Sequence, residues 1–265
     1  LAQFIYDTDA PLAERRTAAL TLDQSLLAEL LGTVSLRELL DAGVIDEVTR
    51  RLQGLTEERA LRGAEDLADA LRRLGPLTAE EIAQRGADGV DTGAAIAHLV
   101  DSRRAIEVRI AGTARFAAAE DAGLLRDALG AALPAGVAEV HLSPVDHPVE
   151  ELVSRWARSR GPFDVGAVVQ AWGLAPGVAR SALEALTAKR VLNQGEFTPG
   201  REGTEWVDAD VLRRIRRASL AASRRQIEPV GPEAYGRFLA DWQHLAQRRD
   251  AGRRDRAAWS GADGV

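Results

Sequence analysis

The sequence predicts a mainly α fold with small β-hairpins: a helical N-terminal segment followed by two winged-helix (helix-turn-helix plus wing) domains. Three observations lead there. Apolar residues recur at helical spacing through residues 1–74, with no alternating strand pattern. A Gly-Pro dipeptide followed by two short helices and a strand–turn–strand occurs twice, 86 residues apart. Both strand pairs are joined by glycine-containing turns, as a wing requires.

In the N-terminal segment, Asp9 precedes Pro11, and Leu12, Arg15, Ala19 and Leu20 follow at helical spacing. Leu26, Leu27, Leu30 and Leu31 form the next stripe, closed by Gly32, and Ser35 can cap Leu36–Leu40. Val44, Ile45, Val48, Leu52 and Leu55 continue the period, with Gly54 interrupting it. Thr56 before Glu57 and Glu58 reads as a helix start, its acids in the first turn where the helix dipole favours them. Leu61, Ala64, Leu67, Ala68 and Leu71 then line one face up to Gly75-Pro76.

The first repeat opens at Gly75-Pro76-Leu77. Thr78 and Glu81 form a capping box for a short helix carrying Ile82. Asp91 caps a second helix with Ile96, Leu99 and Val100; Ile106–Ile110 alternates as a strand, Ala111-Gly112 turns, and Arg115-Phe116-Ala117 returns. A helix over Ala119–Leu129 follows, and Ala131–Glu150 is a Pro- and Gly-rich link. The second repeat opens at Gly161-Pro162-Phe163 with a short helix ending at Trp172-Gly173. Pro176 starts the next helix, Val191-Leu192 a strand, Gly200–Gly203 the wing, and Glu205-Trp206-Val207 the return. The repeat equates Phe116 with Trp206 and predicts both to be buried. A period above 50 residues signals duplicated domains rather than a solenoid. The chain therefore divides into a helical segment at 1–74, a first winged-helix domain at 75–130, a linker and leading helix at 131–160, a second winged-helix domain at 161–228, and a helical stub with a disordered linker at 229–265.

Composition narrows the function. The chain has no cysteine, which excludes disulfides, thiolate zinc sites and thiol nucleophiles. It has no apolar run long enough to span a bilayer and no secretory leader, which fits a cytoplasmic protein without membrane contact. It lacks Met altogether and finishes on Gly261–Val265, a turn-like string, so a stretch of a longer polypeptide is expected. The net charge of −6 hides an asymmetry: residues 1–150 are strongly acidic, whereas residues 151–228 carry 13 basic against 9 acidic side chains. An anionic partner is expected to meet the second half.

The string Phe4-Ile5-Tyr6-Asp7-Thr8-Asp9-Ala10-Pro11-Leu12-Ala13-Glu14-Arg15-Arg16, with Leu26–Gly32 and Leu36-Arg37-Glu38-Leu39-Leu40-Asp41, resembles the end of the accessory module of large helicase-related (Lhr) helicases. Arg160-Gly161-Pro162-Phe163, Gly195-Glu196-Phe197, Glu205–Asp208, Leu212–Leu220 and Phe238–Gln243 resemble the region beyond that family's helicase core. The resemblance implies a parent that hydrolyses ATP with Mg and moves 3′ to 5′ on DNA, unwinding duplexes or RNA–DNA hybrids, usually in repair. Its partners would be the remaining domains of that parent. The phosphate loop G-x-x-x-x-G-K-[ST] does not occur, so no cofactor and no ATPase activity are expected of this chain alone. Some family members have been linked to base excision, but no position here can be given that role.

Several residues invite chemistry. His141, His147 and Asp146 share a loop but match no metal-ligand spacing. The carboxylate pairs Glu57-Glu58, Glu80-Glu81 and Glu120-Asp121 sit near helix starts, where dipole complementarity accounts for them. Trp172, Trp206 and Trp242 could stack on bases, with core packing the competing use for the first two. The strongest candidate is nucleic-acid binding by Arg180, Lys189, Arg190, Arg201, Arg213, Arg214, Arg217 and Arg224. If residues 208–226 are one helix with steps of about 100°, Arg213, Arg214, Arg217, Arg224 and Arg225 share one outward face with no acid among them. The rival readings are a protein-interaction or homo-oligomerisation module, which the acidic first repeat favours, and a stand-alone transcription regulator.

Overall fold

The computed structural model describes residue 37 and residues 39–226. The helices expected within residues 1–36, and the stub and linker expected at 229–265 with Trp242, lie outside the described residues. Residues 1–223 form one compact unit and residues 224–265 another. Among the described residues the fold is mainly helical with two small antiparallel hairpins, as expected.

Helix α1 (Ala42–Leu52) is capped by Asp41, whose carboxylate accepts the Val44 N–H at 3.0 Å. The helix predicted to start at Thr56 is instead a single 3-10 turn, Glu57–Arg59. Leu61 bridges to Gly86, and α2 (Ala64–Leu74) begins only after Gly63. The reason is local: the Asp66 carboxylate accepts the Arg62 N–H at 2.9 Å, holding the preceding chain out of the helix.

Two modules of the same element order follow. The first comprises α2, a one-residue strand at Leu77, α3 (Ala79–Ala83), α4 (Thr92–Asp101), β1 (Ala105–Ile110) and β2 (Thr113–Ala118). Thr78 and Glu81 form the expected capping box, and the Asp91 carboxylate caps α4 at 2.9 Å from Ala94 N. The wing turn is Ala111-Gly112, both residues at positive φ (49° and 80°), as a tight hairpin turn demands. Helix α5 (Ala122–Leu129) and a 3-10 turn at Glu139–Leu142 lead to the second module: α6 (Pro148–Ala157), a one-residue strand at Phe163, α7 (Val165–Trp172), α8 (Pro176–Ala188), β3 (Leu192–Gly195) and β4 (Glu205–Asp208). Helix α9 (Ala209–Gln226) closes the described chain.

The repeat is visible in the backbone. Leu77 and Phe116 exchange both hydrogen bonds at 2.9 and 2.8 Å, and Phe163 and Trp206 do the same at 2.9 and 2.7 Å. Phe116 and Trp206 are thus equivalent, but only Trp206 is fully buried, at 3% exposure. Trp206 joins the large core, whereas Phe116 packs at the edge of a smaller one and stays half-buried.

That large core belongs to both modules. Ile106, Val108 and Ile110 of the first hairpin pack with Leu152, Val168, Trp172, Leu183 and Leu192 of the second module, and with Leu125 between the modules. The first wing is seated in the second module: an added Cβ on Gly173, at the C-cap of α7, would stand 3.1 Å from Ala111 Cβ. Arg155 of α6 forms a two-pronged ion pair at 2.6 and 2.7 Å with Asp121, which is 7% exposed. A third core places Leu40 and Ile45, beside and in α1, against Phe197, Val207, Val211, Leu212 and Ile215. The N-terminal helix therefore packs on the far side of the second hairpin, although the first module follows it in sequence.

Candidate nucleic-acid interface

Helix α9 presents the densest basic surface. Asp208 starts it, its carboxylate accepting the N–H groups of Asp210 and Val211 at 2.9 and 3.1 Å. Val211, Leu212 and Ile215 are buried in a core with Leu40, Ile45, Phe197 and Val207, and Ser219 and Ser223 are buried on the same side of the helix. Ala222, expected on that face, is half-buried, while Arg213, Arg214 and Arg217 are exposed and Arg216 is half-buried. Within the first unit, Arg213, Arg214 and Arg217 lie outward as expected, with one correction. Asp210 also points outward and pairs with Arg213, so that face is not free of acid. At about 100° per residue, Asp210 falls between Arg217 and Arg214, a position the helical wheel already contains. Arg214 and Arg217 have no ion pair among the described residues. Arg224 and Arg225, in the last turn, are exposed and belong to the second compact unit.

The remaining candidates are carried by separate elements. Arg180 is exposed on α8 without an ion pair among the described residues. Lys189 is the C-cap of α8, and its ammonium pairs with Glu150 at 2.6 Å. Arg190 follows at a positive φ of 59°, exposed. Arg201 is committed on three sides: its guanidinium pairs with Asp164, the N-cap of α7, and approaches Glu205 at 3.6 Å, and its carbonyl accepts from Arg37. Lys189, Arg201 and Arg213 are thus neutralised within the chain, partly for a reason the linear sequence conceals: two of their four acidic partners, Glu150 and Asp164, are 39 and 37 residues away.

The wing base is rigid. Glu205 is 2% exposed, and its carboxylate accepts the Phe197 and Thr198 N–H groups at 2.9 and 2.8 Å and the Thr198 hydroxyl at 2.7 Å. Of the candidate stacking tryptophans, the two within the described residues are core residues and offer no base-stacking platform. Trp172 and Trp206 are 4% and 3% exposed. No group of three or more His, Asp or Glu able to hold a metal occurs among the described residues, nor does a helix long and apolar enough to cross a membrane.

A paired helix-turn-helix and wing, duplicated on one core and flanked by a basic helix, defines the chain as a tandem winged-helix protein. Residues 38–144 match the family described as large helicase-related protein, winged-helix domain. The chain is 47% identical over 250 residues to the Lhr helicase/probable uracil glycosylase of Mycolicibacterium smegmatis, and 36% identical over 251 residues to the Lhr helicase/uracil glycosylase of Escherichia coli. Each alignment covers 94% of this chain and 16% of the relative. The chain belongs to the large helicase-related family and carries its winged-helix domain.

Proposed function

We propose that this segment is the nucleic-acid-binding accessory part of an Lhr-type ATP-dependent helicase, translocating 3′ to 5′ on DNA in DNA repair. ATP and Mg would be handled by the motor domains of the parent. The observation that carries the reading is the outer face of α9, where Arg214 and Arg217 stand exposed and without an ion pair among the described residues, beside a buried apolar face. Unpaired guanidiniums of this kind contact backbone phosphates and supply affinity without reading sequence. DNA or an RNA–DNA hybrid is the expected partner.

The first module contributes differently. Its wing turn is occupied by Gly173, and α4 carries no Arg or Lys from Thr92 to Asp101. We assign it a supporting role: it fixes the second module and contacts other domains of the parent.

The test is fluorescence anisotropy of the whole chain with a labelled oligonucleotide at several salt concentrations. Replacing both Arg214 and Arg217 by Ala should weaken binding and lower the salt slope by about two, near one per lost phosphate contact. Lys189→Ala and Arg201→Ala, whose charges are already paired, should move the slope far less. An unchanged slope in the Arg214/Arg217 variant would overturn the assignment to α9.

A further inference from the structure

A second basic feature lies away from α9, where α1, α3, β2 and the chain after α6 meet. Arg85, following α3, is 5% exposed. Its guanidinium donates to the Gln53 carbonyl at 2.8 Å, the Gln53 side-chain oxygen at 2.9 Å and the Glu81 carbonyl at 2.5 Å. None of these is a carboxylate. Arg115 on β2 reaches the Pro76 carbonyl at 3.3 Å and the Glu81 carboxylate at 3.5 Å, and its buried Nε has no partner. Arg160 lies over the Trp156 ring at 4.4 Å. Its side chain makes no hydrogen bond among the described residues, and its Nε too is buried without an acceptor.

Among the described residues, three guanidiniums therefore share one acid, Glu81. Glu81 is itself occupied, since its carboxylate accepts the Thr78 N–H at 2.9 Å in the capping box. The cluster keeps an excess of two positive charges in a place poor in water, where unpaired charge is strongly penalised. Burial pushes Arg160 down to about 10; Glu81 opposes the fall, and the neighbouring charges of Arg85 and Arg115 add to it.

We propose that Arg115 and Arg160 bind a dianionic phosphate group, with Arg85 fixed behind them as a buried positive charge. The charge excess matches a dianion. Two guanidiniums with unused donors suit a tetrahedral group with several oxygens better than a carboxylate, which one guanidinium satisfies. Depth selects the form of the ligand. Arg160 is half-buried with its Nε covered, so free phosphate or the terminal phosphate of a nucleic-acid strand can reach it, and a phosphodiester in mid-chain cannot. The site is independent of the α9 face.

The experiment uses the whole chain. Its melting temperature is followed as inorganic phosphate is titrated, with nitrate at matched ionic strength as the control. Phosphate should raise the melting temperature saturably and nitrate should not. Arg160→Met, which keeps an apolar stem over Trp156, should weaken the phosphate response by about tenfold or more, as expected for loss of a charge-assisted contact. Arg115→Gln should do the same and serves should Arg160→Met fail to fold. Replacing Arg214 and Arg217 by Ala should leave the response intact. Equal responses to phosphate and nitrate, or a full response in a folded Arg160 or Arg115 variant, would sink the proposal. Oligonucleotides with and without a 5′-phosphate then separate the sources. Tighter binding of the phosphorylated strand that depends on Arg160 assigns a strand terminus. Equal binding, with the response to inorganic phosphate retained, assigns the free anion, and either result upholds the site.

Discussion

Asp121 and Arg155 meet through two parallel hydrogen bonds, with the acid at the end of the first module's hairpin region and the base on the first helix of the second. The pair is a polar clasp beside the apolar core that the two modules share. Removing one partner leaves a buried charge uncompensated, so Asp121→Ala should cost roughly 3–5 kcal/mol in urea unfolding. Breaking the Lys189–Glu150 pair, whose lysine is 55% exposed, should cost under about 1 kcal/mol. Equal costs would show that the clasp is no stronger than a surface pair.

Glu205 organises the second wing from beneath. Glu205→Ala leaves the Phe197 N–H, the Thr198 N–H and the Thr198 hydroxyl without their acceptor. The expected loss is about 2–4 kcal/mol. Amide hydrogen exchange at Phe197 and Thr198 should speed up more than at the β1–β2 hairpin. Unchanged exchange at those two amides would mean that the loop is held from elsewhere.

Gly161 is required by a neighbour and not by its backbone. An added Cβ would overlap Thr49 Oγ1 and come within 3.5 Å of Ile45 Cγ2. Gly161→Ala should therefore destabilise by about 1–3 kcal/mol, the usual cost of overpacking. Adding Thr49→Ala in the same chain should recover most of that loss. A double-mutant cycle without coupling would place the strain elsewhere.

Asp127 gives a pH dependence of known sign. The Arg126 guanidinium and then the Val145 N–H hold its carboxyl below its ordinary value of 3.8. The unfolded chain therefore binds this proton more readily. The contribution is fully present above the unfolded value and is lost as pH falls through the folded one. A carbon-detected NMR titration should find its midpoint below 3.8, and Arg126→Ala should move the midpoint upward. A midpoint at or above 3.8 in the unaltered chain would contradict the contact.

Most local signals matched local structure, the exception being Thr56-Glu57-Glu58, which starts only a 3-10 turn. Thr78 and Glu81 announce their capping box because its geometry needs only four consecutive residues. The Gly-Pro spacing announces the repeat, and the Leu77–Phe116 and Phe163–Trp206 bridges appear in the same register. What stayed hidden depends on distance along the chain. Nothing near Arg201 names Asp164, and nothing near Arg160 names Arg85 or Arg115. Exposed, paired and buried arginines look alike in one dimension, so the α9 face was legible apart from Asp210, and the Arg85–Arg115–Arg160 cluster was not.

The seating of Ala111 against Gly173 bears on how displacement passes along the chain. A hairpin held at its tip cannot swing as a free one does, so a push on the helices of the first module arrives at α7 with little lost to bending. Joined by a common core, the two modules should answer a load as one stiff body, with the angle between them held.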